Sequence, residues 1–348
     1  MTFRDSAARV GLSTTQALVR SLPLAPAVDF GRTLGRSVAL FFPRERRIAS
    51  SQLQVVRSRK PLGPAVETDP ALALHESVFR ARQLSAETNS SELVRSVFGH
   101  AFESAVEAFR LPELLTQDES GSFKRIDFTG QEHVAEIMRE GRGAIALSGH
   151  IGCFELLAAF HVRWGAKVTV IGRDPNYSSV SKLIRDLRHS YGVETIWRDE
   201  AATPKLWLSA LQQGRVVAVL IDQDVALDNA FTSFFGLPAA YPITPIRMAI
   251  RRKIPIISSF IVRTAKLQHH VITAPLQYDP DDPQAADHVL RTFNGRLEDL
   301  ICRFPEQWIW WHRRWRRRPQ IDYTKEPERL RSTEDYLAWL ANGADNGE

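Results

Sequence analysis

Apolar positions along this chain recur in two periods. Between residues 141 and 304, short apolar runs alternate with stretches whose apolar residues fall every three or four positions, the signatures of strand and helix. The run Ala144–Leu147 has the length and composition of a buried strand, punctuated by Gly141 and Gly143 before it and by Ser148-Gly149 after it. From Phe154 to about Val162 the apolar residues suit one helical face. The pattern then predicts a strand Lys167–Gly172, a helix Ser179–Tyr191 stopped by Gly192, and a strand Val193–Trp197. A helix opened by Thr203-Pro204 and closed by Gly214 precedes a strand Val216–Asp222. A loop holding Phe234-Phe235-Gly236 comes next, followed by a helix near Thr244–Arg251. A strand Ile254–Val262, an antiparallel partner Gln268–Ala274 and a long helix Gln284–Phe304 complete the series. Repeated strand–helix units predict an α/β fold with a central, mostly parallel sheet flanked by helices.

Upstream the pattern is helical. Two short helices are predicted around Ser13–Leu22 and Val28–Phe42, separated by Pro23 and Pro26. Leu34, Val38, Leu40, Phe41 and Phe42 make this arm unusually apolar, and Arg44, Arg46 and Arg47 follow at once. Two readings stay open: a hairpin packed on the core, or a monotopic membrane contact. Pro61, Pro64 and Pro70 mark a loop over 57–75, and helical periodicity returns over Ala71–Leu84 and Ser91–Phe109. Arg125–Phe128 reads as a short strand and Val134–Glu140 as a short helix. Residues 320–348 are polar and partly acidic, a short helix with a frayed end. The organisation expected is a helical, membrane-contacting arm over 1–56, a main domain over 57–319 and a polar tail over 320–348.

Composition narrows the class. With 348 residues, 44% hydrophobic and 24% charged, the chain has ample core and is not disordered in bulk. A net charge of +5 mildly favours acidic partners such as phosphates, anionic lipid or nucleic acid. Cys153 and Cys302 offer neither a disulfide framework nor a metal quartet and fit a reducing compartment. The N-terminus lacks the form of a signal peptide, and no run approaches the roughly 18 apolar residues a membrane span needs. A soluble or membrane-peripheral protein is expected.

Candidate chemistry gathers at the predicted strand ends. In Ser148–Glu155, SGHIGCFE, His150 falls where a strand gives way to a helix, the edge at which open α/β sheets bind ligands. On one continuous helix, residues five apart lie roughly 140° apart, so His150 and Glu155 can meet only with His150 in the turn and Glu155 in the first helical turn. Glu155 there would fix the imidazole tautomer and leave the other ring nitrogen as a base; the alternative is a capping or core histidine. Arg173 and Asp174 follow a second strand, and Asp222, Gln223 and Asp224 a third. Arg185 and Arg188 lie on the helix after Arg173, as a solvated face or a phosphate clamp. Cys153 could be a thiol nucleophile or a buried structural cysteine. No HExxH, GxGxxG or GxxxxGK[ST] motif occurs, and His269-His270 alternate faces of a strand, which argues against zinc, Rossmann cofactors and P-loop nucleotides. The stretch Pro305–Pro319, PEQWIWWHRRWRRRP, sets Trp308, Trp310, Trp311 and Trp315 beside five arginines, Arg313 and Arg314 among them. It suits an anionic membrane interface, a nucleic acid, or a packed terminal segment with a basic end.

Taken in order, PRERRIA at Pro43–Ala49, His150 and Glu155 in an HxxxxE arrangement, Arg173 with Arg188 and Gly192, Asp222-Gln223 with the later Phe234-Phe235-Gly236, and the tryptophan–arginine stretch resemble the bacterial lipid A biosynthesis acyltransferases of the lysophospholipid acyltransferase superfamily. Mycobacterial phosphatidylinositol mannoside acyltransferases are relatives. The resemblance runs from about Leu18 to Pro319 and implies transfer of a fatty acyl group from a carrier thioester to a glycolipid hydroxyl. His150 is then the general base and Glu155 its orienting partner, without a covalent enzyme intermediate. Arg173 and Arg188 become phosphate-binding candidates, Asp222 a brace for one of them, and Gln223, Arg313 and Arg314 further substrate contacts. Backbone N–H groups at the start of the Gly152 helix would help hold the oxyanion. The donor would be acyl carrier protein or coenzyme A, the acceptor a glycolipid such as a lipid A precursor, at the cytoplasmic face of a bacterial inner membrane. No cofactor, metal or nucleic acid is expected. Cys153-Phe154 stands where the family usually has Asn-Trp.

Overall fold

The structure, a computed structural model, describes residues 14–58, 90–174, 178–198, 203–225, 229–329 and 331–342. The helical stretch expected over Ala71–Leu84 lies outside them. A seven-stranded sheet forms the centre, in the order β1 (Ile126–Thr129), β9 (Gln268–Pro275), β8 (Ile256–Ala265), β2 (Ala144–Ser148), β5 (Val216–Leu220), β3 (Val168–Gly172) and β4 (Glu194–Trp197). All neighbours run parallel except β8 and β9, which form the expected antiparallel pair. β2 is buried along its whole length, as its apolar, small-residue sequence requires of a central strand.

Helices cover both faces. In the main domain they are α3 (Ser90–Phe109), α4 (Gln131–Glu140), α5 (Phe154–Trp164), α6 (Ser178–Ser190), α7 (Thr203–Gln212), α8 (Thr244–Arg252) and α9 (Ala285–Arg303), preceded by α1 (Leu24–Val38) and α2 (Pro43–Ser58). The predicted strand–helix alternation is present, with bounds displaced by up to three residues. Two elements depart from expectation. The loop read around Phe234-Phe235-Gly236 is a hairpin, β6 (Asn229–Phe234) and β7 (Leu237–Pro242), whose two-residue turn has Phe235 at φ 49° and Gly236 at φ 74°. A phenylalanine rarely takes that left-handed position, so the turn lacked its usual Asn-Gly signature. The arginine-rich stretch from Pro43 is the start of α2, a helix that had not been anticipated.

The N-terminal arm divides its residues between core and solvent. Gly35 of α1 lies against the α3 backbone so closely that a Cβ there would stand 2.4 Å from the Phe98 carbonyl oxygen. Ala27, Val28, Gly31 and Gly35 form this buried face, and Arg32 clamps Glu103 of α3 with bonds of 3.0 and 2.6 Å. On the other side Phe30, Leu34, Leu40, Phe41 and Phe42 are exposed, Phe41 to 80%. The core-packing reading thus holds for one face of the arm, and the other face is apolar and exposed. No helix among the described residues is long and apolar enough to cross a membrane.

Residues 305–318 run as irregular chain through the interior. Trp308, Trp310, Trp315 and Arg314 are among the largest fully buried side chains. In the tail, α10 (Thr333–Asn342) packs on α2, and Tyr336 donates to Gln52 Oε1 at 2.8 Å.

Candidate active site

β2 and β5 are parallel neighbours with Ser148 opposite Leu220, so the residues just beyond their carboxyl ends meet. His150 comes from the first and Asp222 from the second. The Asp222 carboxylate takes three bonds: from His150 Nδ1 at 2.7 Å and the His150 backbone N–H at 2.8 Å, and from the Trp308 indole N–H at 2.8 Å. Burial pushes the Asp222 carboxyl up, but the charge of His150 and these three donors outweigh it and bring it down to about 2. Asp222 is therefore ionised at neutral pH, fixes the proton of His150 on Nδ1 and leaves Nε2 as a base. Asp222 braces the imidazole, not an arginine.

The turn needs one special backbone. Gly152 sits at φ 62°, and a Cβ there would fall 2.0 Å from the Ile261 carbonyl oxygen. Its N–H is donated to the Gln307 carbonyl at 3.0 Å and is therefore not free for an oxyanion. An isolated bridge between Ile151 and Trp308 pins the same turn.

Glu155 lies in the first turn of α5, as expected, but its partner is Arg188 of α6, bonded in a fork at 2.9 and 2.6 Å. The imidazole tautomer is set by Asp222, because the register of β2 on β5 brings a carboxylate closer than the helix start can. Arg188 keeps one nitrogen, Nη1, buried and without a hydrogen-bond partner. Arg173 is exposed beyond β3, and Gln223 follows Asp222. His150, Glu155, Arg173, Arg188 and Gln223 all line one cavity of about 310 Å³. The cavity runs down the sheet between Leu157, Ala158, Val170 and Ala218 toward His161 and Ser259. Its walls are largely apolar, and the edge of Phe154 meets the His150 ring at 5.3 Å between centroids.

The arginines of the C-terminal stretch stand elsewhere. Arg314 is fully buried over the Tyr241 ring at 4.1 Å and donates to the Ala240 carbonyl, so it reaches no substrate. Arg313 is spent on the carbonyls of Arg331 and Ser332. Arg316 and Arg317 pair with buried Asp224. The burial of three tryptophans likewise removes the surface on which bases or headgroups would stack. Cys153 is buried, its thiol pushed well up by burial and bonded to the Ser104 carbonyl, conditions that disfavour a thiolate.

Two residues beside the site were not among the candidates singled out. Trp308 belongs to the stretch read as an interface or a packed terminal segment; its burial bears out the packed reading, and its indole N–H supports the Asp222 carboxylate. His312 accepts the Asp224 backbone N–H on Nε2 at 2.9 Å. Burial, aided by Arg314 and His150, holds it down to about 3, so it is neutral and carries its proton on Nδ1.

A histidine bonded to a buried carboxylate at the carboxyl edge of a parallel sheet, beside a largely apolar cavity, is the kind of site this α/β fold presents. The chain belongs to the bacterial lipid A biosynthesis acyltransferase family, whose model matches residues 85–317. It is similar to a lipid A biosynthesis acyltransferase of Haemophilus influenzae, 23% identical over 208 residues, covering 58% of this chain and 63% of that relative. It is also similar to a phosphatidylinositol mannoside acyltransferase of Mycobacterium tuberculosis, 23% identical over 146 residues, covering 41% of this chain and 46% of the relative. The alignments thus span between about half and three fifths of these relatives' lengths.

Proposed function

We propose that this chain transfers a fatty acyl group from a carrier thioester to a hydroxyl of a membrane glycolipid. The observation that carries the proposal is the Asp222–His150 pair at the head of a cavity of about 310 Å³ whose walls suit an acyl chain. His150 Nε2 removes the proton of the acceptor hydroxyl, and Asp222 stabilises the imidazolium. The oxygen forms a bond to the thioester carbonyl carbon and pushes its π electrons onto oxygen. When that pair returns, the carbon–sulfur bond breaks, and the imidazolium gives its proton to the departing thiolate. The histidine ends neutral, with no acyl-enzyme. The unpartnered Arg188 Nη1 is a donor suited to the developing oxyanion or to a phosphate oxygen. Glu155 holds Arg188 in place. Exposed Arg173 is suited to a phosphate of donor or acceptor.

The donor on this reading is acyl carrier protein or coenzyme A, and the acceptor a lipid A precursor. The mycobacterial relatives favour a phosphatidylinositol mannoside-like acceptor as the second reading. The protein works at the cytoplasmic face of a bacterial inner membrane as a peripheral or monotopic protein, a reading supported by the exposed Phe41, Phe42 and Leu40 beside Arg44 and Arg47. Lipid mass spectrometry of cells with and without the gene tests it. A glycolipid lighter by one fatty acyl group without the gene names acceptor and chain together; an unchanged lipid profile overturns the assignment.

A further inference from the structure

The cavity beneath His150 accounts for one aliphatic chain, yet a second cavity of comparable size meets the same turn. It measures about 320 Å³, beside about 310 Å³ for the first, and both fall at the small end of the roughly 300–1,000 Å³ of ligand pockets. It lies between α3, α6 and the segment 307–309. Its walls are almost wholly apolar: Val97, Ala101 and Ala105 from α3 face Val180, Leu183 and Leu187 from α6. Phe154, Glu155 and Ile184 line both cavities, so they form a partition between the two. His150 lines only the first.

We infer that the second cavity holds one aliphatic chain of the lipid acceptor. A carrier-linked acyl thioester brings a single chain, and the first cavity takes it, because its carbonyl must lie by the base. The occupant of the second must therefore come from the other substrate. Alanines on α3 leave the space open where larger apolar residues would close it, and apolar walls take a methylene chain out of water favourably. A chain seated there carries its polar end to Phe154 and Glu155, one ring away from His150. The acceptor hydroxyl is then delivered by the lipid's own tail, and the enzyme selects acceptors that have one. This inference rests on the acyl-transfer reading, since it assigns the second of that reaction's two substrates.

Photo-crosslinking tests it without turnover. A hexadecanol bearing a terminal diazirine is irradiated with the full chain, whose first cavity is saturated with the S-hexadecyl thioether of coenzyme A. The expected result is crosslinking to peptides spanning residues 97–109 and 180–187, falling at least ten-fold in Ala101→Phe. Loss of that crosslinking when the thioether is added, or an unchanged yield in Ala101→Phe, overturns the assignment. In kinetic assays Ala101→Phe raises the acceptor KM at least ten-fold and changes the donor KM less than two-fold; the reverse split overturns it. Leu187→Trp fills the cavity from the opposite wall and repeats the test should the first variant fail to fold. If the crosslinks appear but no lipid is acylated by any thioester, the cavity binds an aliphatic chain, while the acyl-transfer reading fails and with it the assignment of that chain to an acceptor.

Discussion

His150 and Asp222 are joined by a bond of 2.7 Å, and on the proposed mechanism each has its own expected signature. His150→Ala lowers turnover on the order of 10²–10⁴-fold with the fold retained. Asp222→Asn keeps the shape but offers the imidazole the wrong partner, so a loss of about the same order is expected. Glu155→Gln leaves the imidazole tautomer intact and costs less than Asp222→Asn; steady-state kinetics of the three variants rank them. Cys153→Ser should remain active, because the thiol is buried and protonated. Complete loss, with an acyl thioester trapped on the wild-type chain, would restore the thiol mechanism. The place of His150 at a strand end beside a cavity was legible from the buried run before it. Its partner was not, because a five-residue spacing drew the eye to Glu155. Asp222 lies 72 positions away and becomes a neighbour only through the pairing of β2 with β5.

At the scale of elements, periodicity made the strand–helix series readable, since β2, β5 and β8 are short buried runs set between helical faces. It failed where packing overrode local preference. The β6–β7 hairpin turns on a phenylalanine, and α2 begins in a basic stretch for which no helix had been set out. The tryptophan–arginine segment carries no regular period at all, so its composition left an interface and a packed terminal segment both open, and its contacts decide for the packed one. The arm of α1 and the turn at Ala39–Phe41 keep an apolar outer surface that the other described residues do not cover. Phe41→Asp with Phe42→Asp should reduce flotation with anionic vesicles several-fold and leave activity on detergent-dispersed lipid near that of the parent. Equal flotation would move membrane contact to another surface.

Across the whole molecule, buried histidines link stability to acid. Burial holds His161 down to about 4, and it holds His312 down to about 3. Unfolding returns each toward 6.5, so below that pH the unfolded chain binds more protons. Their stabilising contribution is therefore full above pH 6.5 and is lost as pH falls toward 4 and 3. Asp222 adds a loss of the same sign between about 3.8 and about 2. A thermal melting series from pH 7.5 to 4.5 should show Tm falling, with a shallower fall in His161→Gln, which keeps an amide for Ser259. A parallel fall in both proteins would assign the acid sensitivity to other groups. The burial of residues 305–318 has a consequence in time. Trp308 supports Asp222, Gln307 receives the Gly152 N–H, and His312 receives that of Asp224, all from a segment the ribosome makes more than 80 residues after Asp222. A nascent chain that has finished its base, its carboxylate and most of its sheet still lacks the clasp that holds them in register. The turn that carries His150 is clasped only once these later residues exist, so a partial product ending before residue 305 carries His150 and Asp222 without the contacts that hold them.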